Sequence, residues 1–146
     1  MKIAMGCDPN ATAFKAAIKA YVESLGHEVV DYGSDDPIYA NVAFAVAEDV
    51  VAGKADRGML FCGTGIGVAL AANKVKGAYA ATVTNVYQAQ RAVLSNNANI
   101  ITMGAQVTGI EVGKMMAKEY LSYTYDPNSR SGAKVDRILE YEREGK

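Results

Sequence analysis

The sequence predicts an α/β protein: a three-layer α/β/α domain with a five-stranded parallel sheet and a C-terminal helical arm. Short apolar segments alternate along the chain with longer segments in which apolar residues recur at helical spacing. The connections between these segments are short, as in sheets whose parallel strands are joined by helices. With 146 residues, the chain is one domain that can bury a core without disulfides or a structural metal.

The first half of the chain contains three predicted strands and two predicted helices. Residues 2–6 form the first strand. Asp8 and Pro9 then begin a helix, because aspartate is a favoured N-cap and proline suits the first helical position. Apolar residues at helical spacing extend this helix to about Leu25, and Gly26 ends it. The remaining predictions are a strand over 27–32, a polar loop over 33–38, a helix that follows Tyr39 and is ended by Gly53, and a strand over 58–61 that leads to Cys62.

A glycine-rich loop marks the middle of the chain. Gly63, Gly65 and Gly67 follow the third strand and lead into an Ala-rich helix over 68–73. Beyond this helix the predicted elements are a strand over 78–83, a helix over 86–94, a strand over 100–103, a helix over 108–120 and a charged helix over 135–143. Residues 1–146 thus form one Rossmann-like domain, from which a polar arm of about residues 122–146 reaches outward.

Composition and charge exclude several classes of function. A net charge of −1 argues against binding nucleic acid without regard to sequence, which would need a basic face. No segment approaches the roughly 18 apolar residues of a membrane span. The single histidine, His27, and the lack of clustered ligands argue against a metal site. No secretion signal is visible and the two cysteines are far apart, so we expect a cytoplasmic protein with free thiols.

Cys62 and the glycine loop after it are the strongest candidates for chemistry. Ligands of open parallel sheets bind beyond the carboxyl ends of the strands, which is where Cys62 lies. The first backbone N–H groups of a helix have no intrahelical partner, and together with the helix dipole they favour an anion. We therefore predict that Cys62 is a catalytic base and that the loop holds the oxyanion it creates. By themselves, a cysteine at this place is typical of an inert buried thiol and the glycines of a tight turn.

Six segments of the chain together resemble one known family: residues 1–8, 26–29, 55–58, 62–67, 71–75 and 99–105, of which 62–67 reads Cys-Gly-Thr-Gly-Ile-Gly. The family is that of ribose-5-phosphate isomerase type B and the galactose-6-phosphate isomerase subunits. The resemblance covers nearly the whole chain in order. It implies a cofactor-independent aldose–ketose isomerase, which passes a proton between C1 and C2 of a phosphorylated sugar through a cis-enediolate.

The resemblance also implies roles for individual residues. Cys62 matches the base, Thr64 matches a hydroxyl that passes protons between oxygens, and Asn96 matches an asparagine that helps to hold the intermediate. Expected substrate-binding residues are Asp8, Tyr39, Gly63, Gly65, Ile66, Gly67 and Ser95. The expected phosphate ligands are Arg130 and Lys134. The family further implies a homodimer or homotetramer with sites shared between two chains, so that the C-terminal arm reaches a neighbouring site.

The chain departs from the family pattern at several positions. Pro9, Thr84 and Ser95 stand where the family has histidines, and Gln106 replaces an arginine. Because the histidine matched by Ser95 opens the sugar ring, its loss favours a substrate that forms no ring. A tetrose 4-phosphate has its O4 esterified and cannot close a furanose. Residues 39–41, 94–98 and 130–131 also resemble the erythritol-pathway branch, so we favour D-erythrulose 4-phosphate and D-erythrose 4-phosphate.

Other functions remain open from the sequence. The substrate pair could be ribose 5-phosphate and ribulose 5-phosphate, or galactose 6-phosphate and tagatose 6-phosphate. The chain could also be a non-catalytic partner subunit, although it retains Cys62. A nucleotide-binding module is the alternative from another class, but residues 6–9, Gly-Cys-Asp-Pro, lack the glycine fingerprint of such modules.

Plain structural roles also remain open for several candidate residues. Asp8 is equally typical of a helix N-cap, and Tyr39 of a packing residue at a helix start. Asn96 or its neighbour Asn97 could simply end a helix in the left-handed conformation. Arg130 and Lys134 are each typical of a solvated helix face.

Overall fold

Five parallel strands form a single sheet in the computed structural model, which describes residues 1–145. The strands are β1 Lys2–Cys7, β2 Glu28–Asp31, β3 Arg57–Cys62, β4 Ala80–Thr82 and β5 Ile100–Gly104. Their order in the sheet is β2-β1-β3-β5-β4, and every neighbouring pair is parallel. The predicted fold class is confirmed. The order places β3 in the centre, so that Cys62 ends the central strand.

Within residues 1–145, six α-helices connect and cover the strands: α1 Thr12–Ser24, α2 Tyr39–Val51, α3 Ile66–Ala72, α4 Val86–Leu94, α5 Ile110–Leu121 and α6 Gly132–Arg143. A 3₁₀ turn, Pro9–Ala11, precedes α1 where the sequence predicts one continuous helix. β4 is shorter than the predicted strand, and just before it the Tyr79 N–H donates to Asn99 Oδ1 at 2.8 Å. The Asn73 side chain likewise pairs with the backbone of Ala80.

The sheet has one apolar core on each face. Side chains alternate along β3, so that Met59 and Phe61 pack among α1, α4 and α5. Leu60 and Cys62 face the opposite way and pack among α2 and α3. Cys62 therefore lies on the α2 and α3 face at the carboxyl end of the central strand, beside the loop that begins α3.

Helix α6 packs against its own chain, whereas the sequence predicts a tail that reaches beyond the domain. Val135 is buried, and Glu142 accepts both the Gly77 N–H at 3.0 Å and the Tyr79 hydroxyl. Burial, with a further contribution from this hydrogen bond, raises the pKa of Tyr79 to about 12. The hydrogen bonds from Tyr79 and Gly77 lower the pKa of Glu142. These contacts fix α6 beside β4.

Candidate active site

Cys62 lines a cleft of about 540 Å³ at the carboxyl ends of the strands. The thiol is buried, and its sulfur accepts the backbone N–H of Gly65 at 3.1 Å. The residues that line the cleft are Asp8, Asn10, Pro37, Tyr39, Cys62, Gly63, Thr64, Ile66, Gly67, Leu70 and Gln106. The cleft thus brings together every site residue expected from the first half of the chain except Gly65, which is buried within the loop.

The loop after Cys62 lies directly against the end of β5. Gly65 has φ +80°, in the left-handed region, and a Cβ atom there would lie 2.8 Å from the carbonyl carbon of Met103. A Cβ atom on Gly104 would collide with the backbone of Thr64. Glycine is needed at both positions because two backbone segments touch there. This close approach turns the Gly65 N–H toward the cysteine sulfur.

Two threonines fix the loop from beneath. The carbonyl oxygen of Gly65 accepts the Thr102 hydroxyl at 2.7 Å and the Thr82 hydroxyl at 3.2 Å. Thr102 is fully buried, and the two hydroxyl oxygens are 2.9 Å apart. Since a peptide unit is planar, fixing a carbonyl restricts the orientation of the loop around it. The sequence pattern does not reveal these residues, although a threonine inside a short apolar strand is a signal that could have found them.

The start of α3 presents polar groups to the cleft. The Ile66 N–H donates to Thr64 Oγ1 at 3.2 Å, which leaves the proton of that hydroxyl available to another acceptor. A Cβ atom on Gly67 would lie 2.6 Å from Cε2 of Tyr39, so a side chain there would displace the tyrosine ring. The tyrosine ring therefore covers the first turn of α3 and forms one wall of the cleft.

Tyr39 is held in this position by the turn that begins α2. The carboxylate of Asp36 accepts the amide of Asn41 at 2.9 Å and the backbone N–H of Ile38 at 2.8 Å. These hydrogen bonds lower the pKa of Asp36. The polar loop before α2 is thus tied to its first turn, which fixes where the tyrosine leaves the helix.

Asp8 serves both as a cap and as part of the cleft wall. Its Oδ1 accepts the Asn10 backbone N–H at 3.0 Å, and its Oδ2 accepts the Asn10 side-chain amide at 3.1 Å. The carboxylate is buried, and both of its oxygens are engaged. Opposite Asp8, the side chain of Gln106 covers Gly63, whose Cβ atom would lie 3.1 Å from Gln106 Oε1.

The remaining candidate residues line a second cleft, of about 360 Å³, between the end of α4 and the start of α6. Its lining residues are Tyr87, Arg91, Ser95, Asn96, Arg130, Ser131, Lys134, Val135 and Ile138, and it shares none of them with the Cys62 cleft. The left-handed residue at this helix end is Asn97, with φ +51°, while Asn96 lines the cleft. The candidate site residues therefore divide into two separate sets within one chain.

Cys7, the other thiol, lines neither of these clefts. Burial raises its pKa to about 11 in spite of the nearby charge of Lys15. Both cysteines are free. Within residues 1–145 no three His, Cys, Asp or Glu side chains are grouped to hold a metal ion. The same residues include no helix long and apolar enough to cross a membrane.

Known proteins resemble this chain over its whole length. A family model described as Ribose/Galactose Isomerase matches residues 3–138. The chain is 46% identical to D-erythrulose-4-phosphate isomerase 2 of Mycolicibacterium smegmatis over 97% of each protein. It is 41% identical to D-erythrulose-4-phosphate isomerase of Pectobacterium atrosepticum, covering 100% of this chain and 98% of that one. Its fold matches ribose-5-phosphate isomerase B of Clostridium thermocellum with a TM-score of 0.93, at 34% identity and over 100% of both chains.

The parallel sheet, the thiol cleft at its centre and these matches define a class: the protein is a sugar-phosphate isomerase that interconverts an aldose and a ketose. Within that class, the chain belongs to the ribose/galactose isomerase family. The family membership that the sequence resemblance implied is therefore confirmed.

Proposed function

We propose that the protein interconverts D-erythrulose 4-phosphate and D-erythrose 4-phosphate through a cis-enediolate, with Cys62 as the base and no cofactor. The observation that carries this proposal is the setting of Cys62, whose sulfur lies in the cleft beside the N–H groups that begin α3. Asp8, the carboxylate of the same cleft, has both oxygens engaged by Asn10. The Cys62 sulfur accepts one hydrogen bond, from Gly65, and we propose it as the group that exchanges a proton with carbon.

The proposed reaction needs few groups. The Cys62 thiolate removes a proton from C1 of the ketose, a C1–C2 double bond forms, and O2 becomes negatively charged. The Thr64 hydroxyl moves a proton from O1 to O2, and the sulfur returns the first proton to C2, which leaves an aldehyde at C1. Backbone N–H groups between Gly63 and Gly67 can stabilise the enediolate oxygen, and one such donor typically contributes about 10²–10³ in rate.

The second cleft supports a substrate without a ring. The hydroxyl oxygen of Ser95 accepts Nε–H of Arg91 at 2.7 Å. A serine hydroxyl is not a base at neutral pH, so this position supplies no general base for ring opening. Such a group typically contributes about 10²–10⁴ in rate on a cyclic sugar. A tetrose 4-phosphate forms no furanose and does not need it.

We further propose a homodimer or homotetramer in which the Cys62 cleft of one chain faces the Arg130 and Lys134 cleft of its partner. Two observations support this arrangement: the candidate residues divide between separate clefts, and apolar side chains are exposed beside both of them. Ile66 and Leu70 lie by the first cleft, and Tyr87 and Ile138 by the second, each more than half exposed. Contiguous exposed apolar surface is typical of an interface. The free thiols favour a cytoplasmic location.

A comparison of substrates tests the proposed reaction. Turnover of D-erythrulose 4-phosphate, ribose 5-phosphate and galactose 6-phosphate is measured side by side, with Cys62→Ala as the control. We expect the highest kcat/KM for the tetrose. Faster conversion of ribose 5-phosphate would refute the substrate assignment. Equal inactivity of the wild type and Cys62→Ala on all three sugars would favour a non-catalytic partner subunit.

Mixing two inactive variants tests the shared site. If the two clefts come from different chains, a mixed dimer of Cys62→Ala and Arg130→Ala contains one intact site and one doubly damaged site. Random exchange at equal concentrations then restores about a quarter of the wild-type sites. If each chain holds a complete site, mixing restores no activity, and the shared arrangement is wrong.

A further inference from the structure

The cleft between α4 and α6 contains a third cation, Arg91, beside Arg130 and Lys134. The other lining residues are uncharged: Tyr87, Ser95, Asn96, Ser131, Val135 and Ile138. In the part of the chain that the structure describes, none of the three cations forms an ion pair with a carboxylate. The cleft therefore concentrates positive charge that the protein itself does not neutralise.

Arg91 differs from the other two cations in being held in place. It is half-buried on the last turn of α4, whereas Arg130 and Lys134 are exposed. Its Nε–H donates to Ser95 Oγ at 2.7 Å, one helical turn further on. Its Nη groups have no acceptor among residues 1–145. A guanidinium fixed through Nε keeps its two Nη groups available to a ligand. Because the side chain is already held, it loses less conformational freedom when the ligand binds.

We propose that Arg91 is a ligand of the substrate's anionic group and makes this cleft selective for a dianion, such as a phosphate ester, over a monoanion, such as a sulfonate. The inference rests on the proposed function, because it takes the cleft to be the anion subsite of the isomerase. A guanidinium can bind two oxygens of one phosphate at once. Three positive charges favour a doubly charged ligand over a singly charged one more strongly than two do.

Ser95 takes a defined part in this arrangement. Since its oxygen already accepts from Arg91, its own proton remains free to donate to the same ligand. Arg91 thus contacts the anion directly and also orients a neutral donor beside it. Ser95→Ala keeps all three charges but removes both that donor and the acceptor that holds Arg91.

Binding of inorganic phosphate to the full-length protein tests the proposal without any turnover. Titration calorimetry at constant ionic strength compares wild type, Arg91→Met and Arg137→Met. Arg137 is the matched control, because it is an exposed arginine of α6 that pairs with Glu140 and Glu144 and does not line the cleft. We expect Arg91→Met to weaken phosphate binding by about 10- to 100-fold, the usual range for a charge-assisted contact, and Arg137→Met by less than about two-fold.

Selectivity supplies the second readout. The ratio of phosphate to methanesulfonate affinity is measured at pH 8 for the same proteins, and we expect it to fall in Arg91→Met and to stay near wild type in Arg137→Met. Arg91→Lys retains the charge without the planar donor pair, so an intermediate phosphate affinity is expected. If Arg91→Met is unstable, Arg91→Lys carries the same comparison.

Unchanged phosphate affinity in Arg91→Met, or an equal loss in Arg137→Met, would overturn the assignment. Failure of the proposed function gives a different result. A wild-type protein that binds phosphate through Arg91 but isomerises no sugar phosphate would refute the isomerase proposal alone. If the wild type turns over the sugar phosphate and the Arg91→Met variant does so with the same KM, the Arg91 proposal alone is refuted.

Discussion

Replacing Gly65 with alanine would disturb the Cys62 loop in two ways. The left-handed backbone at φ +80° is unfavourable for an L-residue by about 1–2 kcal/mol. The new Cβ atom would also lie 2.8 Å from the carbonyl carbon of Met103 and 3.0 Å from the nitrogen of Gly104. Both are backbone atoms of the interior strand β5, which cannot move aside. The loop must then retreat from β5, together with the N–H that donates to the Cys62 sulfur.

Gly53 offers a matched control for the backbone effect. It has φ +77°, and an added Cβ atom there would have no neighbour within 4 Å. Gly53→Ala should therefore lower the free energy of unfolding by about 1–2 kcal/mol. In Gly65→Ala the same backbone effect is joined by overpacking, which typically adds about 1–3 kcal/mol, so a loss of about 2–5 kcal/mol is expected.

Urea unfolding and steady-state kinetics measure the two consequences. We expect Gly53→Ala to retain wild-type turnover of the sugar phosphate. Gly65→Ala should lose about 10²-fold or more in kcat, because it displaces a preorganised donor beside the sulfur that we propose as the base. If both variants lose the same stability and Gly65→Ala turns over normally, then contact with β5 does not position the Cys62 loop.

Three further predictions concern Thr102, Glu142 and the two cysteines. Thr102→Val should lower kcat several-fold with KM nearly unchanged and should be rescued by serine, because it removes a hydrogen bond to the loop carbonyl; an unchanged kcat would contradict this role. Glu142→Gln should destabilise the protein at neutral pH. Hydrogen bonding from Tyr79 lowers the pKa of Glu142. The wild type should therefore have the higher free energy of unfolding above about pH 4.5, and the difference should be lost as the pH falls through the lowered pKa. Urea unfolding at a series of pH values measures this difference. Iodoacetamide at pH 8 should label Cys62 before Cys7, whose pKa is raised to about 11; mass spectrometry that finds Cys7 labelled first would contradict this reactivity order.

Local sequence signals are enough to predict the strands, the helices and the position of Cys62. An apolar run that ends in cysteine and glycines is typical of a buried strand followed by a tight turn. The N-cap at Asp8 follows from the same kind of signal and is confirmed, though for a 3₁₀ turn. The helix predicted to follow Tyr39 is present and begins at Tyr39 itself.

Features that depend on long-range contacts were beyond such signals. The roles of Thr82 and Thr102 require the strand order, because these residues face each other only once β4 pairs with β5. The packing of α6 depends on Glu142 reaching Gly77, 65 residues earlier in the chain. No local periodicity carries that information.

The division of the candidate residues between two clefts also depends on the tertiary structure. The resemblance implies that the arm with Arg130 reaches the site of a neighbouring chain, but only the coordinates reveal that Asn96 lines the same cleft as Arg130 and not the Cys62 cleft. Arg91 could not be predicted as a candidate from the sequence for a further reason. An arginine in an amphipathic helix is ordinary, and its significance comes from the cations that α6 brings beside it.

The most direct test of the proposed mechanism is the kcat/KM of Cys62→Ala on D-erythrulose 4-phosphate, measured together with its phosphate affinity and its thermal stability. If Cys62 is the base, this variant should lose about 10²–10⁴-fold in kcat/KM while it binds phosphate and unfolds like the wild type. Retention of wild-type kcat/KM by Cys62→Ala would contradict the mechanism, because the proton would then be transferred by another group.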